Sequence, residues 1–483
     1  MQPTPPQTRF KKKKKASGWL WVLMLLMSVC FEGLGRKFLP FVPAVAFYFL
    51  KDVVLVVGLI RFGIPKEVKK AARFLYGGFL PILGVAIAFT VLQSFNPEQR
   101  SLVLAVLGLR AYWLWLLTPL VMASALRDEE DARKSVQALA GIAIVVALFA
   151  AYQFRQPASS SVNTYALYEG KEMNDVDTVH STGRVRVSST FSYLSGFADF
   201  TVLVPMILLA LALDQNTRRG RLLMLGAVGA CAATIPMSGS RGAVLQAGLG
   251  LSCVAYAAGF LATRVGRRVV AGGAVAAVLA VMVSPEAARG ISDRFTRNTG
   301  ESSSRLWEST TIIPVVAMAV YHYPPMGNGT GGQQNAAGAL GLMDPKYFAE
   351  GENHKILIEQ GVLGLAILWT ARFGISVALL KASRRLRRAR RGGLAGLALG
   401  LSAMNLMLNL NFDHVAQALL FIGVGYVLHA FMRLPAPVGV RADAGRLARA
   451  GGWTPARLPV PFQATPAQPT RVVPAVLGDP PRS

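Results

Sequence analysis

The sequence predicts an all-α polytopic membrane protein of about twelve transmembrane helices, with a long, partly helical loop on the periplasmic or extracellular side. Three observations predict it. Hydrophobic residues make up 53% of the 483 and charged residues only 16%, with a mean hydropathy of +0.41, far above that of a water-soluble domain of this size. Apolar runs of spanning length recur along the chain. The net charge of +26 is carried by short Lys and Arg clusters between those runs, not by one basic domain, so it marks cytoplasmic loops rather than a nucleic-acid surface.

Residues 1–16 form a basic cytoplasmic tail, MQPTPPQTRFKKKKK, ahead of an apolar run from Ser17 to Leu34. That run lacks a small-x-small cleavage site and leads directly into further spans, so it reads as an uncleaved first span. Residues 17–283 then hold helices one to nine. Further spans are expected near 38–61, 74–94, 101–125 and 136–154. The loop RFGIPKEVKKAARF is basic and cytoplasmic, and RDEEDARKS is mixed. Lys51 and Asp52 fall inside the second span, where an ionisable pair needs a partner or a cavity. A local pair or snorkelling to the interface is the expected resolution.

An exterior loop follows at about 156–190. Its Asp175-Val176-Asp177 resembles a metal-dependent DxD signature, but a loop this short cannot build the soluble nucleotide-binding fold that signature serves. The loop ends in GRVRVSSTFSYLSGFADF, which brings Arg184 and Arg186 to the mouth of the sixth span, about 191–213. The seventh span, 222–237, meets SGSRGA. There Arg241 stands between two apolar runs with no acid nearby in sequence, and it must be compensated by lipid phosphates or by a bound phosphate. Spans eight and nine are placed at 243–263 and 269–283.

The long exterior loop covers 284–354. It presents Arg305 before an amphipathic segment whose Leu306, Ile313, Ala317 and Val320 share a helical face, with Pro314 kinking it. The Pro- and Gly-dense stretch HYPPMGNGTGGQQNAAGALG is irregular. Loops of such length between spans are usually functional. The last helices occupy 355–433, as spans at 355–380, 394–410 and 415–432. KASRRLRRARRGG after the tenth span fixes the long loop on the opposite side. NFDH joins the last two spans. Residues 434–483, rich in Pro, Ala and Arg, read as a disordered cytoplasmic tail.

Cys30, Cys231 and Cys253 each sit in an apolar run, against a disulfide framework or a metal site. No P-loop, paired-carboxylate motif or zinc-binding His pair is present. His354 stands where the loop turns into the tenth span. His414, beside Asp413 in NFDH, is the second candidate for a base. His322 is assigned to ordering the loop, and His180 and His429 to no role. Trp307 and Tyr323 either stack on sugar rings or pack the loop onto the bundle.

SGSRGA, SSSRLWES followed by HYPPMGNGTGG, and ENHKILIEQGVLGL resemble, in order and spacing, the successive blocks of the O-antigen ligase superfamily over about 191–369. The resemblance implies a membrane glycosyltransferase that moves a glycan from undecaprenyl pyrophosphate to an acceptor hydroxyl on the outer side of the bacterial plasma membrane. Both chain termini would lie in the cytoplasm. It implies no cofactor and no metal, His354 as the catalytic residue, and Arg241, Arg305 and Arg186 as pyrophosphate-binding residues. The partners implied are the lipid-linked donor, a glycan or lipid A core acceptor, and membrane lipids. Ligase and polymerase both remain open, as do a protein O-oligosaccharyltransferase and, from a different class, a transporter or flippase of lipid-linked oligosaccharide.

Overall fold

The computed structural model describes residues 18–39, 43–166, 185–215, 217–259, 325–334, 337–338, 341–342 and 351–434. Among the described residues the regular structure is helical, with no β-strand. In chain order the helices are α1 (Gly18–Cys30), α2 (Glu32–Phe38), α3 (Ala44–Phe62), α4 (Lys66–Tyr76), α5 (Leu80–Gln93), α6 (Leu102–Trp113) and α7 (Thr118–Ala125). There follow α8 (Glu129–Arg155), α9 (Leu194–Leu213), α10 (Arg218–Thr234), α11 (Arg241–Ala257), α12 (Glu352–Arg388), α13 (Gly392–Met407) and α14 (His414–Met432).

Six of these segments are long and apolar enough to cross a membrane: α6 with α7, α8, α9, α10 with its terminal 3-10 turn, α12 and α14. The count is seven if α1 and α2, bent by 51° at Phe31, form one broken span. Among the described residues, not every span expected from the sequence has spanning length. The expected span at 74–94 is divided by Gly77 and Gly78, which leaves α5 with 14 residues, about 21 Å of helix. Within and just beyond the expected basic loop 61–74, Lys66–Tyr76 form a basic amphipathic helix, α4, with Val68 and Leu75 buried. The expected ninth span and the N- and C-terminal tails lie outside the described residues.

α9 and α14 are apolar on all sides, and each is 83% buried at the centre of the bundle. α10 is only 33% buried and forms part of the wall. α9 packs against α10, α11, α13 and α14, and α13 also against α11 and α12. Small residues set the spacing. A Cβ on Gly396 of α13 would lie 2.5 Å from Val254 Cα on α11, so those backbones approach only because the side chain is absent. The free thiols of Cys30 and Cys231 are buried and that of Cys253 half-buried.

The helix ends gather in two groups, here called top and bottom without assigning sides of a membrane. At the bottom, Gly18 meets Ala125, and Asp214 accepts from the backbone N–H groups of Gly393 and Leu394, at 2.9 and 3.1 Å. At the top, Thr190 is tied to Cys30 and Leu34, Val187 to Met237, and Gln246 to Met407.

α12 is two helices in one. Gly361 interrupts it with φ 67°, ψ −173°, and Asn328 and Gly329 donate to the carbonyls of Ile358 and Glu359 left open there, at 2.8 and 3.1 Å. A Cβ on Gly361 would stand 2.1 Å from Pro325 O. Gly361→Ala is expected to destabilise the protein by about 1–3 kcal/mol through backbone strain alone. Gly141→Ala on the open face of α8, where an added methyl meets nothing within 4 Å, is expected to stabilise it slightly. Thermal unfolding of the two purified variants checks the contrast; equal melting temperatures would remove the steric account of the kink.

Candidate functional site

The top of the bundle is built around an extended segment, residues 185–193, that lies across three sets of helix ends. At its start Val187 N donates to Met237 O at 3.1 Å and Arg186 Nε to Ser238 O at 3.3 Å. The aliphatic part of the Arg186 side chain covers Gly239, whose φ of 63° closes the turn before α11. Arg241 is the first residue of α11, whose N-cap is Ser240 accepting from Ala243 N at 3.2 Å. The two predicted arginines Arg186 and Arg241 therefore belong to one junction, and both are half-buried.

Further along, the same segment receives two more cations. Lys37 Nζ donates to Ser188 Oγ at 2.8 Å and Ser189 O at 3.1 Å, and Arg36 Nη1 to Ser192 Oγ at 3.0 Å. Ser189 has a left-handed φ of 48° although it is not glycine, and its hydroxyl is anchored to Val146 O at 2.8 Å. Such strain persists only where the surroundings over-determine the conformation. Here the hydroxyl bond to α8 and the lysine on the carbonyl supply that constraint.

Beneath this segment lies a buried ionic network the sequence did not lay out. Glu32 pairs with Lys51 and with Arg36, the latter at 3.3 Å, while Asp52 accepts from Arg110 Nε at 2.6 Å. Lys51 is only 1% exposed, so the expected snorkelling or local Lys51–Asp52 pairing is corrected: each residue is neutralised by a different helix. An apolar bundle leaves a lysine at this depth no aqueous alternative. Tyr48 sits at the centre, with Lys51 and Arg110 each 4.7 Å and Arg36 5.8 Å from its ring centroid. Arg110 Nη1 also donates to Tyr48 Oη at 3.2 Å.

His414 faces this network. It is 7% exposed, the first residue of α14, with Nε2 3.4 Å from Arg110 Nη1. Asp413 is committed to capping α14, accepting from Val415 N and Ala416 N at 2.9 and 3.2 Å. A cavity of about 80 Å³ opens between Glu32, Arg36, Tyr48, Lys51 and His414. Asp52 Oδ1, Arg110 Nη2 and His414 Nδ1 are buried without a protein partner, which is rare in a native interior and marks a place for a polar ligand or water.

His354 is half-buried in the first turn of α12, and its neighbours are all held. Glu352 accepts from Asn411 N and from Arg372 Nη1, both at 2.8 Å; Asn353 accepts from Trp369 Nε1 at 3.0 Å; Lys355 Nζ lies 5.2 Å from the Phe412 ring centroid. Arg372 also ties down α13, donating to Asn405 O and Leu408 O at 2.8 and 2.7 Å. The α13–α14 connection thus has the turn bearing His354 on one side and His414 at its end. His354 stands on α12 and Arg241 on α11, and both helices pack against α13.

The Gly-rich loop packs beside the same turn. Glu359, 1% exposed, accepts from Gln333 N at 2.7 Å and Tyr112 Oη at 2.9 Å. A polar cavity of about 220 Å³ lies between Gln99, Arg100, Asn328, Thr330 and Glu359. Arg305, Arg184, Trp307, Tyr323, His322, His180 and the Asp175–Asp177 pair lie outside the described residues.

Among the described residues, no cluster of three or more His, Cys, Asp or Glu side chains could hold a metal ion. Sequence reasoning missed Glu32, Tyr48 and Arg110. The rule that singled out Lys51 and Asp52, an ionisable group within an apolar run, applies equally to Glu32 in CFEGLG and Arg110 in LGLRAYW. No family model matches the chain, and no curated protein matches it.

The network sets a stability test. Arg110→Ala strands Asp52 and is expected to destabilise the protein by about 3–5 kcal/mol, whereas Arg110→Met with Asp52→Leu recovers most of that loss. Thermal unfolding across the double-mutant cycle measures the coupling. Additive losses would mean that the Arg110–Asp52 pair carries no interaction energy.

Proposed function

We propose that the protein is a membrane glycosyltransferase that transfers a glycan from undecaprenyl pyrophosphate to an acceptor hydroxyl on the outer side of the bacterial plasma membrane, as an O-antigen ligase or an O-antigen or exopolysaccharide polymerase. In this reading the chain crosses the membrane about twelve times, both termini are cytoplasmic, and the top of the bundle faces outward. The observation that carries it is the gathering at one end, among the described residues, of Arg36, Lys37, Lys51, Arg110, Arg186 and Arg241, of which Arg36 and Lys51 pair with Glu32 and Arg110 with Asp52. Cations outnumber acids there, beside two histidines.

The chemistry fits such a place. The acceptor oxygen attacks the anomeric carbon, the bond from that carbon to the pyrophosphate oxygen breaks, and the acceptor proton passes to a base. Undecaprenyl pyrophosphate leaves with the bonding pair, and guanidinium groups of Arg186, Arg241 and Arg305 offset the charge that develops on it. Glycosyl transfer of this kind needs no metal when fixed cations hold the leaving group. His354 is the base in this scheme: it is half-exposed at a helix start, whereas His414 is enclosed and faces Arg110. His414 and Arg110 then shape the electrostatics beside it.

A second reading, a transporter or flippase of lipid-linked oligosaccharide, is favoured by one observation, the buried Glu32–Lys51 and Asp52–Arg110 pairs, since intramembrane charges mark translocation paths in many transporters. An acceptor on a protein would make the enzyme a protein O-oligosaccharyltransferase by the same chemistry.

Purified protein in liposomes with undecaprenyl-pyrophosphate-linked glycan and a glycan or lipid A core acceptor decides among them. Transfer is expected to persist in chelator and to fall by about 10²–10⁴-fold in His354→Ala. Full activity in that variant, or loss with chelator, sinks the mechanism. Movement of donor across the bilayer with no transfer favours the transporter.

A further inference from the structure

We infer that the bottom of the bundle, away from the site described above, holds a binding site for a phosphate group. Between α8, α9, α13 and α14 lies a cavity of about 130 Å³ whose rim carries Arg133, Arg391 and Arg433 and whose lining includes His429. His429 is 6% exposed, and its Nε2 has no hydrogen-bond partner. A buried ring nitrogen lining a cavity rimmed by arginines, left without a partner, marks a missing ligand group or water.

The acids nearby are already engaged. Glu129 pairs with Arg391 at 2.7 Å, and Asp214 accepts the two backbone N–H groups at the start of α13. Asp128 caps α8 through Asp131 N at 2.7 Å, and Glu130 pairs with Lys134 at 2.7 Å. Arg133 and Arg433 are exposed at the opening, and Arg433 spends one Nη2 contact on Arg127 O at 2.5 Å. Their remaining N–H groups can take a phosphate in the forked geometry a guanidinium favours, beside the unpartnered Nε2 of His429. The volume is well below the roughly 300–1,000 Å³ of pockets for drug-sized ligands, so it suits a phosphate group and not a whole nucleotide.

The position fits two sources of that group. The cavity opens at the ends of apolar helices, where lipid head groups would lie, and Val136 and Leu394 give it apolar walls. A free phosphate ion would meet the same donors. Nothing in this inference depends on the transferase reading, because the residues involved are at the opposite helix ends.

The test is native mass spectrometry of the full-length protein in detergent, titrated with phosphatidylglycerol, for wild type, Arg133→Gln/Arg433→Gln, His429→Ala and, as a surface-charge control, Lys69→Gln/Lys70→Gln on α4. The tightest lipid-binding step is expected to weaken by about tenfold or more in the Arg double variant and in His429→Ala, and to be unchanged in the control. Inorganic phosphate, added as competitor and followed also by its effect on melting temperature, separates the sources. Failure to displace the lipid assigns the site to a head group; displacement, with a wild-type melting increase absent from the Arg variant, assigns it to the free ion. Because both arginines are exposed, their replacement leaves packing intact. Lipid and phosphate binding equal to wild type in the Arg variant would overturn the site.

Discussion

A charge inside an apolar bundle has to be neutralised by another part of the chain, and the top of this protein is arranged around that requirement. Lys51 and Asp52 are consecutive on α3 and so point in different directions around the helix. Each recruits its own partner, Glu32 from α2 and Arg110 from α6. The bend at Phe31 brings Glu32 and Arg36 over α3, and the aromatic face of Tyr48 fills the space between three cations. Buried ion pairs add little net stability compared with apolar packing, but one partner without the other is costly, so they fix which helices can be neighbours.

Irregular backbone at helix ends faces a related constraint, since every N–H and C=O shielded from water needs a partner. Two segments meet it in different ways. Residues 185–193 take cations from α2 and turn contacts from the start of α11, and they accept strain at Ser189 to do so. The glycine loop gives its own N–H groups to the carbonyls opened by the Gly361 break in α12, while Glu359 accepts from the loop and from Tyr112. Both segments leave polar side chains facing cavities. The two ends of the bundle differ: the top encloses its charges in pairs, whereas the bottom sets arginines on a rim.

Much of the architecture was legible along the chain. Apolar run length marked α8, α9, α12 and α14, and the turns at SGSRGA and NFDH stand where a charged residue interrupts two such runs. Gly77 and Gly78 were visible too, but a hydropathy window averages over a break, and so the end of α4 was joined to α5 in one expected span while the rest of α4 read as a loop. Lys51 and Asp52 stood out as ionisable residues in an apolar run, and Glu32 and Arg110 carried the same signal. What the sequence could not supply was the pairing, since Arg110 and Asp52 are 58 positions apart and nothing local links them.

Composition and run length by themselves determined that this is a helical chain suited to a bilayer, because burial of an apolar helix depends on its own residues. The meeting of Arg186 with the Arg241 turn, the enclosure of His414 against Arg110, and the docking of the glycine loop on Gly361 were decided only by tertiary structure. Each depends on contacts between segments distant in sequence, whose energies are set by geometry across the bundle and leave no local periodicity to read.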